Sequence, residues 1–293
     1  MPITEVIYVV FPVFCTIAVG FLFARVKKID LDPVLNLLLY ITIPALIVSS
    51  LSHKKILISD LATVWGSVVL VAATSGLIAY AYLRITKRTE LRGLYLTSMF
   101  MNSGNMALPL ALLAFGADAL SIAVLYYIAV SLLVYSVGVF ICKGRGGFKE
   151  IFRLPLIYAA TLALTCNLTD TMLPGPILET VDMIGAATIP LMQLCLGYRL
   201  FSTKLSNLNI SIAGSVIRIG GGVLAAYSVV TLLGIEGLNR NVIILSSSMP
   251  AAVINFVMSH KYQLNSELVA STIALSTIIS IFTTPLLLLW LMN

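Results

Sequence analysis

Met101-Asn102-Ser103-Gly104-Asn105-Met106-Ala107-Leu108-Pro109 sets two carboxamides, a hydroxyl, a glycine and a proline in the middle of an apolar run covering about residues 91 to 115. Pro109 has no amide hydrogen and its ring crowds the carbonyl four residues back, that of Asn105, so a helix is expected to break there. In lipid a carbonyl freed in this way needs a partner or a water-lined cavity. Asn102 and Asn105 are three apart, share a helix face, and bring amide donors and acceptors to the break. Gly104 lets a second backbone or a ligand come close.

A later apolar run has the same design in Ser246-Ser247-Ser248-Met249-Pro250-Ala251-Ala252-Val253-Ile254-Asn255. Pro250 frees the carbonyl of Ser246, and three consecutive hydroxyls can compensate. Two broken helices meeting near mid-membrane would aim the positive N-terminal ends of their second halves at one point, and such ends attract anions. The polar set carries no charge, which suits a carboxylate better than a cation. Asn102, Asn105, Ser248 and Asn255 are therefore the expected substrate-binding residues, with Gly104, Pro109 and Pro250 forming the break and crossover.

The rest of the chain reads as membrane protein. Of 293 residues, 59% are hydrophobic and 10% charged, and the mean hydropathy is +1.04; a soluble domain carries about 25% charge. Apolar runs at about 5–24, 33–52, 60–83, 91–115, 118–141, 153–169, 177–198, 209–233, 239–259 and 267–291 give ten expected helical spans. Fourteen Lys and Arg fall in the odd-numbered loops: Arg25, Lys27, Lys28, Arg84, Lys87, Arg88, Arg92, Lys143, Arg145, Lys149, Arg153, Arg199, Lys204 and Lys261. Three fall on the other side, Lys54, Lys55 and Arg240, and Arg218 lies within a span. Positive charge concentrates on the cytoplasmic side of membrane proteins. The asymmetry predicts ten spans in the plasma membrane with both termini outside, and it accounts for the net charge of +6 without nucleic acid.

Ten spans divide into two fives. Thr42-Ile43-Pro44 in the second span matches Thr188-Ile189-Pro190 in the seventh. Phe11-Pro12 near the start of the first matches Leu154-Pro155 near the start of the sixth, and Pro109 matches Pro250. With an odd number of helices per half, the second half enters from the opposite side, so the repeat is inverted, a build typical of secondary transporters with a midplane site. The expected units are residues 1–141, a short cytoplasmic linker 142–153, and residues 154–293.

Arg218, about nine residues into its span, is the strongest lone charge. Functional use competes here with snorkelling to the interface. Asp182, about five residues from the outer end of the seventh span, is an interfacial carboxylate and the best coupling group if one exists; Arg218 and Asp182 are thus the coupling or gating candidates. Pro44 and Pro190 read as scaffold kinks. Cys15, Cys142, Cys166 and Cys195 show neither zinc nor disulfide spacing and read as small buried side chains. The chain has no HExxH, GxSxG or phosphate loop, so no enzyme, metal or cofactor is expected.

Asn102-Ser103-Gly104-Asn105-Met106-Ala107-Leu108-Pro109, supported by Met249-Pro250-Ala251-Ala252 and Asn255, resembles the Asn-x-Gly-Asn-Met-Gly-Leu-Pro stretch of the auxin efflux carrier family, and the resemblance covers essentially the whole chain. It implies an all-α, ten-helix inverted repeat in which helices 4 and 9 cross at their prolines. It implies a scaffold of helices 1, 2, 6 and 7 and a transport domain of helices 3 to 5 and 8 to 10 that moves as an elevator. It also implies carboxylate substrates near Asn105 and Asn255. Ala107 stands where the family often has Gly, and residues 142 to 153 replace the long loop of the plant exporters. The expected partners are a small organic anion and the lipid bilayer, with a homodimer through the scaffold helices as the protein contact. The alternatives are a sodium-coupled symporter of the bile-acid type, which would need clustered sodium ligands, often Glu, Gln and Asn, at the crossing, where no acidic residue lies near either proline, and a membrane receptor or sensor.

Overall fold

In a bilayer every backbone polar group must find its partner inside the protein, so apolar runs of this length become helices. The computed structural model describes residues 3–53, 55–144 and 148–292; Lys54 and Arg145 of the charge count lie outside them. In chain order the helices are α1 (Ile3–Val26), α2 (Asp32–Ser52), α3 (Ile58–Ile85), α4a (Gly93–Met99), α4b (Ser103–Phe115), α5 (Ala117–Lys143), α6 (Pro155–Leu168), α7 (Gly175–Ser202), α8 (Leu208–Leu232), α9a (Gly237–Ser247), α9b (Ile254–Lys261) and α10 (Ser266–Leu291). Seven of them, α1, α2, α3, α5, α7, α8 and α10, are long and apolar enough to cross a membrane. A single turn at Phe148–Ile151 sits between α5 and α6.

Prolines are accommodated in two ways. In α2 the five residues Leu38–Thr42 form a π-turn and Pro44 follows as the second residue of the next α segment. In α4b the π-turn is Ser103–Ala107 and Pro109 is again the second residue after it. A π-turn bonds five residues back, so the ring that would clash with the carbonyl at i−4 gains room. The break expected at Pro109 therefore lies elsewhere, at Phe100–Asn102. Pro250, by contrast, stands inside its break. Pro12 is interior to α1 whereas Pro155 opens α6, so neither the Pro12/Pro155 pair nor the Pro109/Pro250 pair occupies equivalent positions.

The Thr-Ile-Pro pair behaves differently. Thr188 Oγ1 donates to the carbonyl of Thr42 at 2.7 Å, joining the two matching tripeptides where α2 passes α7. Pro190 sits in the first turn after an interruption of α7 at Ala187. Two packing groups emerge. Helix α1 lies along the second half of α7, and α2 packs on α6 and α7; α3, α8 and α10 pack together, with α4a, α5 and α9a against them.

Loop contacts respect the alternation of helices. Tyr198 bonds to both backbone groups of Ile29, Arg92 to the carbonyl of Ile141, and Asn265 to the amide of Gly93, all at one end. At the other end Lys55 pairs with Asp170, Asn167 with Leu51 and Ile56, and Asn239 with Asp60.

The α1–α7 contact is close enough that a Cβ on Gly197 would overlap the carbonyl of Ile17, whereas one on Gly66 would meet nothing within 4 Å. Gly197→Val is expected to cost about 3 kcal/mol by overpacking against backbone and to lower the Tm by about 10 °C. Gly66→Val should leave the thermal unfolding curve in place. Equal behaviour of the two variants would contradict the packing described.

Candidate functional site

Helix α4a stops at Met99 and the chain runs extended through Phe100, while α9a stops at Ser247. At that level Met101 and Ala251 form an isolated antiparallel bridge. The Asn102 amide donates to the carbonyl of Pro250 at 2.7 Å, and the Ala252 amide donates to the carbonyl of Phe100 at 3.1 Å. Each break thus satisfies the backbone groups freed by the other, as a buried location requires. Two side chains from neighbouring helices reinforce the crossing: Ser276 of α10 accepts from the Ala251 amide at 3.1 Å, and Tyr126 of α5 shares a 2.7 Å hydrogen bond with Ser247.

Arg218 joins the two first halves. Its side chain is fully buried; Nη1 donates to the carbonyl of Ser98, near the end of α4a, and Nη2 to the carbonyl of Ser247, at the end of α9a, at 2.6 Å. A Cβ on Gly222, one turn along α8, would collide with that guanidinium and with the Ser247 carbonyl, so glycine there is what lets the arginine reach. The C-terminal ends of helices carry partial negative charge. One cation neutralises two of them, and because its head is fully buried between the two breaks it does not snorkel to the interface.

The second halves begin on the wall of a cavity of about 310 Å³ between α2, α4b, α5, α7 and α9b. Asn102, Ser103, Gly104 and Asn105 line it from one helix start, and Ala252, Val253 and Ile254 from the other. Asn102 uses its Oδ1 to cap the Asn105 amide at 3.1 Å, while its Nδ2, buried, has no hydrogen-bond partner among the described residues. A buried donor left unpartnered is costly, and a turn of this carboxamide toward the cavity would relieve it. Asn105 presents a half-buried carboxamide beside it.

Two expected substrate contacts lie off this wall. Ser248 is buried with its hydroxyl bonded to the carbonyl of Ile244 at 2.6 Å, the usual fate of a hydroxyl within a helix. Asn255 straps α9b to the crossing, its Nδ2 donating to the carbonyl of Phe100 at 2.9 Å. Asp182 is remote from the cavity and ties α7 to α2: Ser49 donates to its Oδ1 at 2.6 Å, and His53 Nε2 stands 2.9 Å from Oδ2. Of the four free cysteines only Cys195 is buried, with a small exposed part on the cavity wall, the others being partly exposed.

The remaining walls come from residues the sequence pattern does not assign to a substrate site: Asn36 of α2, Tyr127 and Ser131 of α5, and Met192, Cys195 and Arg199 of α7. Met192 and Tyr127 press on α4b where a Cβ of Gly104 would stand. Nothing local distinguishes these residues from packing, because their neighbours across the cavity are far away in sequence.

A family model described as membrane transport protein matches the chain in two segments, residues 5–151 and 147–288. An uncharacterized transporter of Methanocaldococcus jannaschii is 28% identical over 262 residues, covering 84% of this chain and 85% of its own. One of Methanothermobacter thermautotrophicus is 29% identical over 267 residues, covering 88% of each.

Proposed function

Because the chain belongs to the membrane transport protein family of the auxin efflux carriers, and is thus a multi-pass integral membrane transporter rather than an enzyme, we propose that it is a secondary carrier for a small organic anion. The observation that carries the reading is the cavity wall formed by the N-terminal ends of α4b and α9b, with Asn102, Ser103 and Asn105 on it and no acidic side chain lining it among the described residues. Neutral donors and positive helix ends stabilise a carboxylate there, and no acidic side chain among the described lining residues is present to balance a cation. The substrate sits against Asn102, Ser103 and Asn105.

In this reading the ten spans form two inverted repeats, residues 1–141 and 154–293, joined by a short linker at 142–153. The meeting of Thr42 with Thr188, 146 residues apart, and of the two breaks with each other supports that symmetry. Helices α1, α2, α6 and α7 act as the scaffold, with Pro44 and Pro190 at its kinks. Helices α3, α4, α5, α8, α9 and α10 move against it as an elevator. Gly104 under Met192 and Tyr127 lies where the two groups meet. The carrier resides in the plasma membrane with both termini outside, and a homodimer would form through the scaffold.

Uptake into proteoliposomes of labelled acetate, malate and indole-3-acetate, with and without proton, sodium and potential gradients, tests the reading. Saturable flux of at least one is expected. Well-folded protein that moves none of them would count against an organic-anion carrier.

A further inference from the structure

We infer that Arg199 is the cation that selects for anions at the mouth of the cavity, a station that a substrate meets before it reaches Asn102 and Asn105. By the charge pattern alone Arg199 is one of fourteen orientation charges. Its position gives it a second use.

Among the described residues Arg199 is the only charged side chain lining the cavity. It also lines an adjoining space of about 610 Å³, whose walls include Lys204 and Ser206 after α7, His260 of α9b, and Glu267 of α10. The two spaces share Leu196, Arg199 and Val253. Arg199 therefore stands at the partition between the inner cavity and the outer pocket. No hydrogen bond or ion pair to a described residue occupies its guanidinium, although Glu267 lines the same outer pocket. A partly buried guanidinium left free of a carboxylate on a cavity wall is set to bind anions that pass.

Met192, Cys195 and Arg199 follow one face of α7 at helical spacing. Met192 touches α4b at Gly104, which puts it at the level of the carboxamides. Arg199 is seven residues further, about 10 Å along the axis. Arg199 and the carboxamide pole are thus successive stations on one path, and the charge acts on how anions approach and are discriminated. A field of one sign focused by low-dielectric walls raises the local concentration of the opposite charge.

This inference rests on the anion-carrier reading, but its test does not require transport. Cys195, one turn from Arg199 on the same face, reports the local potential. In a Cys15→Ser, Cys142→Ser, Cys166→Ser background in detergent, the rates of modification by anionic 2-sulfonatoethyl and cationic trimethylammonioethyl methanethiosulfonate are compared. The anionic reagent is expected to be favoured. Removing one charge about 6 Å away changes each rate about threefold in opposite directions, so Arg199→Gln should lower the ratio about tenfold. Arg199→Lys, which keeps the charge, should retain it and guards against a folding artefact.

An unchanged ratio in Arg199→Gln would overturn the inference. So would failure of Cys195 to react with either reagent in the otherwise native background, since the cavity would then not be open past Arg199. A wild-type protein with the expected ratio but no carboxylate flux would sink the carrier reading alone.

Discussion

An Arg218→Met variant is expected to lose most of its monodisperse population in fluorescence-detected size exclusion and to unfold about 10 °C lower than the wild type. The guanidinium donates to the carbonyls of Ser98 and Ser247, and no carboxylate among the described residues pairs with it. Hydrogen bonds to a charged group are worth about 1.5 to 3 kcal/mol each. Removing a buried charge returns part of that through relieved desolvation, so a net loss of about 3 kcal/mol is the expectation. Methionine fills much of the volume, which isolates the electrostatic loss from a cavity effect. Arg218→Lys keeps the charge but has no fork to reach two carbonyls, and should fall between. Gly222→Ala should weaken the fold in the same direction, because the new methyl displaces the guanidinium from Ser247. Unfolding curves that coincide for wild type and Arg218→Met would show that the crossing is held by other groups.

The placement of Arg218 also bears on the proposed preference for anions. Four half-helices meet at the crossing, each with a polar end. The two carbonyl ends, of α4a and α9a, are taken by one arginine. The two amide ends, of α4b and α9b, open on the cavity with no acidic side chain lining it among the described residues. Helix ends of opposite sign would largely cancel if all four faced the same space. Sorting them to different sides leaves a net attraction for negative charge without placing a cation at the carboxamide pole.

Seven of the ten expected spans were legible from hydropathy, because lipid enforces it. The expected run at 177–198 lies within α7 at Gly175–Ser202, and the run at 267–291 is α10 to within a residue. The break in helix 4 was harder. Pro109 carries the local signal, yet a π-turn absorbs it, and the chain opens at Phe100–Asn102 because Pro250 and Ala252 supply backbone partners there. That cause lies about 150 residues away and leaves no trace in the stretch itself. The two carboxamides were readable by their spacing, and Asn102 and Asn105 do reach the cavity. Asn255 carries the same chemistry but is drawn to the Phe100 carbonyl. For Arg218, depth in the span could not separate snorkelling from capping, since its partners are 120 and 29 residues distant. Arg199 was hidden for the opposite reason: a charge at a helix end has a sufficient explanation in topology, so its second role emerges only when α7 is seen beside α9b.

Asn105→Asp is expected to lower the affinity for a carboxylate by at least 100-fold while leaving the protein as stable as the wild type. The wild-type carboxamide lines the cavity, half-buried, so a carboxylate there would stand about 4 Å from the bound anion; at an effective dielectric of about 20 the repulsion approaches 4 kcal/mol. Asn105→Ala removes a neutral donor only and should cost about tenfold, the worth of one hydrogen bond. Stability responds differently, because an acidic residue in the first turn of a helix is favoured by the helix dipole. Fold and binding are thus pushed in opposite directions by one substitution, so a loss of uptake cannot be put down to misfolding. Proteoliposome uptake of the transported carboxylate, together with a thermal unfolding curve for each variant, makes the comparison. Were the substrate a cation, the added carboxylate would raise its affinity instead, and uptake improved by Asn105→Asp would reverse the sign assigned to the site.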